Sequence, residues 1–470
     1  MSIIGGFMVP HPPLIIPDIG RGEEKKIQKT INAYDEAADR IGSLKPDTII
    51  ISSPHTTMYS DYFHISPGES AKGDFGGYRA PQVSFNETYD RELADTIVHL
   101  AETEGFPAGF MGERDKTLDH GTMIPLYFVR KYWNDFKIIR IGLSGLPLTD
   151  HYRLGTFIRR AVEQTGRRAV YIASGDLSHK LKNSGPYGYA PEGPDYDERI
   201  MEVMGSGDFG RLFDFSEAFC DRAAECGHRS FVMMAGAFDG RGVISEVLSH
   251  EDVTGVGYGI CCFEPTEPDE NRYFLEQYYE RRDKEIENMR ASEDIFVKTA
   301  RTALEAHIRD GRTITPEEAT GKLDPDSEEY RELYERAAGA FVSIHKDGRL
   351  RGCIGTISAL ENCIAAELVR NAISAATSDP RFDPIMPEEL ANLEYSVDIL
   401  GTPEPISSPE ELDVKRYGVI VSKGFRRGLL LPDLDGVDTV EDQIEIARKK
   451  GGIGEHEKYK LERFEVIRHH

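Results

Sequence analysis

TIIISSPHTT, residues 48–57, decides the fold of the first half of the chain. A strand with one wet face alternates apolar and polar residues. An unbroken β-branched run such as TIIISS is instead buried on both faces, as in a parallel sheet covered by helices. The run stops at Pro54, and His55 follows at the strand's carboxyl end. The same pattern recurs outward from this stretch, in IIGGFMVPHPP at 3–13, IIRIGL at 138–143 and AVYIASGDLSH at 169–179. Amphipathic stretches at 23–42, 89–104, 151–165 and 228–238 separate these runs, and GVGYGICCF at 255–263 closes the region. This alternation predicts an α/β domain, a three-layer α/β/α sandwich, over residues 1–264.

A chain of 470 residues is too long for one ordinary core. The composition changes at PTEPDENRYFLEQYYERRDKEIENMRASED, residues 265–294, which is dense in charge and poor in aliphatic residues. We read 265–292 as a charged helical linker and 293–470 as a second domain of α+β type. In that domain we expect helices at 294–309, 328–338 and 360–376 and strands at 393–400 and 417–431. A hairpin in FVSIHKDGRLRGCIGT should turn at Asp347-Gly348.

The 81 acidic against 56 basic residues give a formal charge of −25, which repels polyanions and argues against nucleic acid as a partner. The apolar start lacks a cationic lead-in and is broken by Pro10, Pro12 and Pro13, so it reads as a buried strand and not a signal peptide. No run approaches the ~20 apolar residues of a membrane helix. Six cysteines without a spaced framework fit a reducing, cytoplasmic compartment.

The chemistry is carried by where the histidines fall. His11, His55 and His179 each follow a buried strand at its carboxyl end, the edge where open α/β sheets bind ligands. Neighbouring prolines stiffen the loops of His11 and His55. A single histidine in such a place is more often a hydrogen-bonded structural residue than a ligand, but three at one edge are unlike coincidence. Two neutral imidazoles and one further anionic ligand would make an open metal site. AAECGHRS, 223–230, offers Glu225, Cys226 and His228 for that third position. His64, His99, His151 and His250 have no comparable setting and read as surface or cap residues.

Four blocks, PHPP at 10–13, SPHTT at 53–57, LDHGTMIPL at 118–126 and SGDLSH at 174–179, resemble in order the motifs of class III extradiol (LigB-like) ring-cleavage dioxygenases. The resemblance implies that His11 and His55 bind metal, that His179 is the acid/base, that His120 faces substrate and that Asp176 orients the cluster. ECGHRS is closer to the Memo branch, in which a cysteine replaces the dioxygenase carboxylate; that route favours Cys226 over Glu225. LRGCIGT at 350–356, SDPRFDPIMPEEL at 378–390 and GFRRGLLLPDL at 424–434 resemble the AMMECR-type domain. The helix IEIARKKGGI departs from that pattern. The pairing resembles the fused component of AmmeMemoRadiSam systems, which implies a radical S-adenosylmethionine protein as a partner.

Fe(II) is the expected ion, with Zn(II) or Cu as alternatives, and a small aromatic or chelating molecule is the expected substrate. A Memo-like metal-binding or adaptor protein without ring cleavage is the second expectation, and a zinc hydrolase the third. A homo-oligomer is compatible with all three. In the second domain, Cys353 lies between Gly352 and Gly355 and is a further candidate, weighed against an inert hairpin cysteine. Arg351, Arg381, Arg426 and Arg427 could line an anion pocket, weighed against solvated surface arginines.

Overall fold

The apolar runs form strands β1 (Ile3–Val9), β2 (Thr48–Ser53), β3 (Lys137–Gly142) and β4 (Ala169–Ser174), which lie parallel to one another. Strands β5 (Arg241–Glu251) and β6 (Tyr258–Pro268) extend the sheet antiparallel beyond β1, giving the order β3-β2-β4-β1-β6-β5. The computed structural model describes residues 2–434 and 436–470. The chain divides into two compact units, which meet in sequence between Tyr279 and Glu280. That division falls within a helix, Phe274–Ser292, in the charged stretch.

In the first unit, the parallel strands β1–β4 are dry on both faces. Val170 and Ile172 of β4 enter one core with α1 (Gln28–Leu44) and α3 (His120–Val129). Ala169, Tyr171 and Ala173 of the same strand enter the other core with α2 (Arg91–Thr103), α4 (Leu148–Thr165), α5 (Glu192–Ser206) and α6 (His228–Gly236). The three-layer α/β/α arrangement follows from this two-sided burial. A hairpin of Ser70–Phe75 and Ala80–Thr88 lies outside the main sheet. Ala71, Gly73 and Phe75, and Val83 and Phe85, turn inward between exposed residues, a short period-two pattern that is absent from the expectations above.

Two histidines depart from expectation. His64 and His151 are fully buried, not on the surface. His64 Nδ1 lies 2.9 Å from the Met111 carbonyl, and His151 lies between the Ser144 N–H at 3.3 Å and the Pro147 carbonyl at 3.0 Å. Backbone groups meet both ring nitrogens of His151 and Nδ1 of His64, and nothing in the local sequence announces them. His99 is exposed, and His250 contacts Asp197 at 2.9 Å.

The second unit opens with α7 (Ile295–Asp310), capped by Asp294, whose carboxylate accepts from the Phe296 and Val297 N–H groups. The hairpin β7 (Ala340–Lys346) and β8 (Arg349–Gly355) turns at Asp347-Gly348, with φ of 53° and 73°. Two left-handed residues in succession give the tight turn whose twist matches the strands. After α8 (Ile364–Thr377) and β9 (Leu393–Leu400) come β10 (Glu404–Ile406), β11 (Gly418–Lys423), β12 (Arg426–Leu430), α9 (Val440–Lys450), β13 (Lys460–Phe464) and β14 (Val466–His469). They build two four-stranded sheets, β8-β7-β9-β14 and β10-β13-β11-β12. The stretch 417–431 is a hairpin of two strands, and 328–338 holds only a short helix, Glu328–Tyr330, followed by the π turn Arg331–Glu335.

In the first unit, α4 and α6 touch backbone to backbone. A Cβ on Gly236 would lie 1.9 Å from the Tyr152 carbonyl oxygen, and one on Gly155 would lie 2.1 Å from that of Met233. Alanine favours a helix interior over glycine by about 1 kcal/mol, but neither helix backbone can yield locally. Overpacking of about 1–3 kcal/mol should win. Gly236→Ala is therefore expected to lower the denaturant midpoint of the first unit; an unchanged or raised midpoint contradicts the close packing.

Candidate metal centre

The parallel strands deliver their side chains to one edge. His11 follows β1, His55 follows β2, and Asp176 and His179 follow β4. His120 is the first residue of α3, and Cys226 stands just before α6. His11 is buried and its two ends are fixed: its N–H donates to Asp176 Oδ1 at 2.7 Å, and its Nδ1 lies 2.9 Å from Ser174 Oγ. The Ser174 hydroxyl donates to the Gly121 carbonyl at 2.6 Å. A hydroxyl has one proton, so Ser174 accepts from His11 Nδ1–H, and His11 Nε2 is left as a bare lone pair. That nitrogen lies 3.0 Å from His55 Nε2 and 3.6 Å from Cys226 Sγ.

Cys226 reaches this point because two glycines meet. A Cβ on Gly175 would stand 2.1 Å from Gly227 Cα, so only glycine lets the loop after β4 touch the turn before α6. The contact docks Cys226 on the backbone of Asp176: Asp176 N–H donates to Sγ at 3.3 Å, and Cys226 N–H donates to the Asp176 carbonyl at 3.4 Å. Its two sequence neighbours go elsewhere. Glu225 accepts from the His228 N–H at 2.6 Å, at the start of α6. His228 is buried between Tyr196 Oη at 3.3 Å and the Leu212 carbonyl at 3.0 Å. Of the three residues open for the third position, the structure brings Cys226 to the imidazoles and ties up Glu225 and His228.

Asp119, which is not among the candidates read from the sequence, joins two of the motif loops. Its carboxylate accepts from Ser53 Oγ at 2.7 Å, Thr56 Oγ1 at 2.7 Å, Thr122 N–H at 3.0 Å and Thr122 Oγ1 at 2.9 Å. The buried Arg140 guanidinium stands 4.0 Å away. Burial works to raise the Asp119 carboxyl, but the hydroxyls of Ser53 and Thr56 with the Arg140 charge hold it below its ordinary value. Asp119 therefore ties the His55 loop to the start of α3, where His120 stands with its ring 4.0 Å from that of His55 and 5.4 Å from that of His11. The three-residue spacing from Asp119 to Thr122 is a helix-cap signal, and it was the one clue to this residue.

The electrostatics disfavour charge here. Burial, followed by the neighbouring His55, pushes His11 down to about 3; burial, His55 and His11 do the same to His120. Burial also lowers His55 and His179, against the pull of nearby carboxylates. Burial raises the Asp176 carboxyl to about 6 and pushes the Cys226 thiol well up, with Asp176 and Glu225 adding to the thiol's shift. His179 stacks on Tyr187 at 5.0 Å and is electrostatically coupled to Asp176 and His55.

These residues fit a metal ion. One ligand atom from each of His11, His55 and Cys226 lies within 4.8 Å of the others, and no other such group occurs among the described residues. Bonds of about 2.0–2.3 Å from nitrogen and sulfur span such distances. Neutral imidazoles present the lone pairs a cation needs. His11 is buried while His55 is exposed, so the group is rooted in the sheet and open outward.

In the second unit, Cys353 accepts from Ser343 Oγ at 3.3 Å, and its N–H donates to Asp379 at 2.9 Å. Burial raises its thiol, the inert form. The arginines are paired with acids: Arg351 with Glu389, Arg381 with Asp379, Arg426 with Glu457 and Arg427 with Glu462. They form ion pairs and not an anion pocket. Among the described residues no helix is long and apolar enough to cross a membrane.

Comparison with known proteins places both halves. Residues 5–261 match the family of the catalytic LigB subunit of aromatic ring-opening dioxygenase, and residues 297–469 match the AMMECR1 family. A protein of Clostridium acetobutylicum is 41% identical over 477 residues, covering 100% of this chain and 99% of its own length. The 2-aminophenol 1,6-dioxygenase beta subunit of a Pseudomonas species is 27% identical over 291 residues, covering 55% of this chain and 93% of its own. A solved structure from Pyrococcus horikoshii is 30% identical, with a TM-score of 0.33 over 37% of this chain and 88% of its own. The chain belongs to the family of the catalytic LigB subunit of aromatic ring-opening dioxygenases, with an AMMECR1 domain carried on the same polypeptide.

Proposed function

We propose that the first unit is a metal-dependent oxidoreductase of the ring-opening dioxygenase type, using Fe(II) held by His11, His55 and Cys226, and acting on a small aromatic or otherwise chelating substrate. The observation that carries this reading is the bare Nε2 of His11, facing His55 and Cys226 at an open sheet edge. When bound, the ion would supply Lewis acidity and a place where substrate oxygens and dioxygen come together. The likeness to a 2-aminophenol dioxygenase subunit supports a ring with two adjacent donor groups as substrate.

The protein's own groups divide the remaining work. His179, neutral and beside Asp176, takes a proton from the substrate and returns it. His120, against His55, faces the substrate at the mouth. Asp176 orients His11 through its backbone N–H. Asp119 fixes the loop that carries His55.

A second reading rests on Cys226. A thiolate is a softer ligand than a carboxylate and suits Zn or Cu as well as iron. On that reading the protein is Memo-like, binding metal or presenting a substrate to a radical S-adenosylmethionine partner without cleaving a ring; a zinc hydrolase would use the same open site. Metal analysis after native purification separates the iron oxidoreductase from the zinc hydrolase, and turnover on a catechol separates ring opening from the Memo-like reading.

Anaerobic loading with Fe(II), followed by oxygen-uptake measurements on a panel of catechols and aminophenols, is expected to show turnover that falls about 10²–10⁴-fold in His179→Ala. Uptake no greater than in that variant removes ring opening. Cys226→Ser is expected to lose tight metal binding; full metal retention takes Cys226 out of the ligand set. Asp119→Asn keeps the side-chain shape but replaces one acceptor oxygen with a donor, and should weaken metal about 10–100-fold in a chelator competition. Unchanged affinity means that the His55 loop holds its place without Asp119.

A further inference from the structure

Two tyrosines rest on imidazoles of the metal centre without belonging to any core. Tyr78, in the tight turn Gly76–Tyr78 of the outlying hairpin, is 38% exposed, with its ring 5.6 Å from that of His120 and steeply inclined to it at 68°. Tyr187, in the loop after β4, is 60% exposed and lies nearly parallel to His179, 24° between planes at 5.0 Å. His55 is electrostatically coupled to both imidazoles. The Tyr187 loop is braced at its base, where Gly185 packs on Gly255 and Leu181 bridges to Tyr189. The ring is therefore presented by a fixed frame, with one face on His179 and more than half of the side chain exposed.

A lone exposed tyrosine needs no explanation. Two of them, each seated on a different histidine of one centre, make the mouth aromatic on the His120 side and on the His179 side. Aromatic faces attract flat rings in offset or edge-on contact and offer little to a compact, non-planar ligand.

Resting on the metal-centre reading above, we propose that Tyr78 and Tyr187 are specificity-determining residues, which select a planar-ring chelator over a non-aromatic chelator of the same metal-binding power. The ligating residues cannot make this distinction, because they engage only the donor atoms. The tyrosines engage the ring behind those atoms.

The test uses the full-length protein loaded anaerobically with Fe(II). Two probes are titrated, 4-nitrocatechol followed by its visible spectrum and acetohydroxamate followed by competition. They are compared in the wild type, Tyr78→Leu, Tyr187→Leu and Tyr187→Phe. Loss of one stacking face is expected to weaken nitrocatechol roughly tenfold in each leucine variant. Acetohydroxamate affinity should not move, and Tyr187→Phe should bind nitrocatechol as the wild type does. Equal nitrocatechol binding in the leucine variants overturns the proposal, and so does a parallel loss of both probes. If the wild type retains iron and binds neither probe, the open-site reading fails and this inference falls with it. Iron content and thermal midpoint, measured on each variant, confirm that the centre is intact, as the exposure of both side chains leads one to expect.

Discussion

The one proton of the Ser174 hydroxyl determines what the centre can do. Because that proton goes to the Gly121 carbonyl, His11 must donate from Nδ1, and its Nε2 is left to face outward as a lone pair. The three groups come from the loop just after β1, from β4 and from the start of α3, so the tautomer is set by the packing around the sheet edge. A buried imidazole with a free choice of tautomer would spend part of its time with a proton where a metal has to sit.

Close packing serves the same end at two other points. Gly175 and Gly227 exclude side chains so that Cys226 can rest on the backbone of Asp176. Gly121 is similarly confined: a Cβ there would lie 2.4 Å from Ser53 Oγ and 3.4 Å from His11 Nδ1. Asp119 then fastens the remaining loop to α3, accepting two hydrogen bonds from Ser53 and Thr56 and two from Thr122. Each of these devices removes freedom from a ligand before any ion arrives, which is the condition for a site held on rigid elements with supporting contacts behind it.

The sheet was legible because burial on both faces leaves its mark in four apolar runs, and the histidines were legible because they follow those runs directly. The Asp347-Gly348 turn was legible for a local reason too, since the dipeptide favours two successive left-handed residues. What escaped the sequence is non-local. Ser174 meets His11 across 163 residues, and Asp119 meets Ser53 across 66, as ordinary polar residues of no distinctive spacing. His64 and His151 are buried on backbone carbonyls that no pattern reveals. The hairpin carrying Tyr78 was missed because its alternation is short and weak: Ala71, Gly73 and Phe75 turn inward between exposed polar residues, and alanine and glycine give little apolar signal.

Glu225 and Cys226 show why adjacency in sequence leaves a ligand undecided. Ala224 ends the preceding helix in the left-handed region, with φ of 53°, and turns the chain just before them. Beyond that turn, the Glu225 carboxylate reaches forward and accepts from the first N–H of α6, a place that favours an acidic oxygen, although burial still lifts its carboxyl to about 7. Cys226, one residue on, is drawn the other way by the Gly175–Gly227 contact. A helix start and a glycine pair thus make opposite demands on neighbouring residues, and both are met only if the carboxylate serves the helix and the sulfur faces the histidines. That sulfur and not a carboxylate oxygen stands beside His11 and His55 is therefore a consequence of backbone packing.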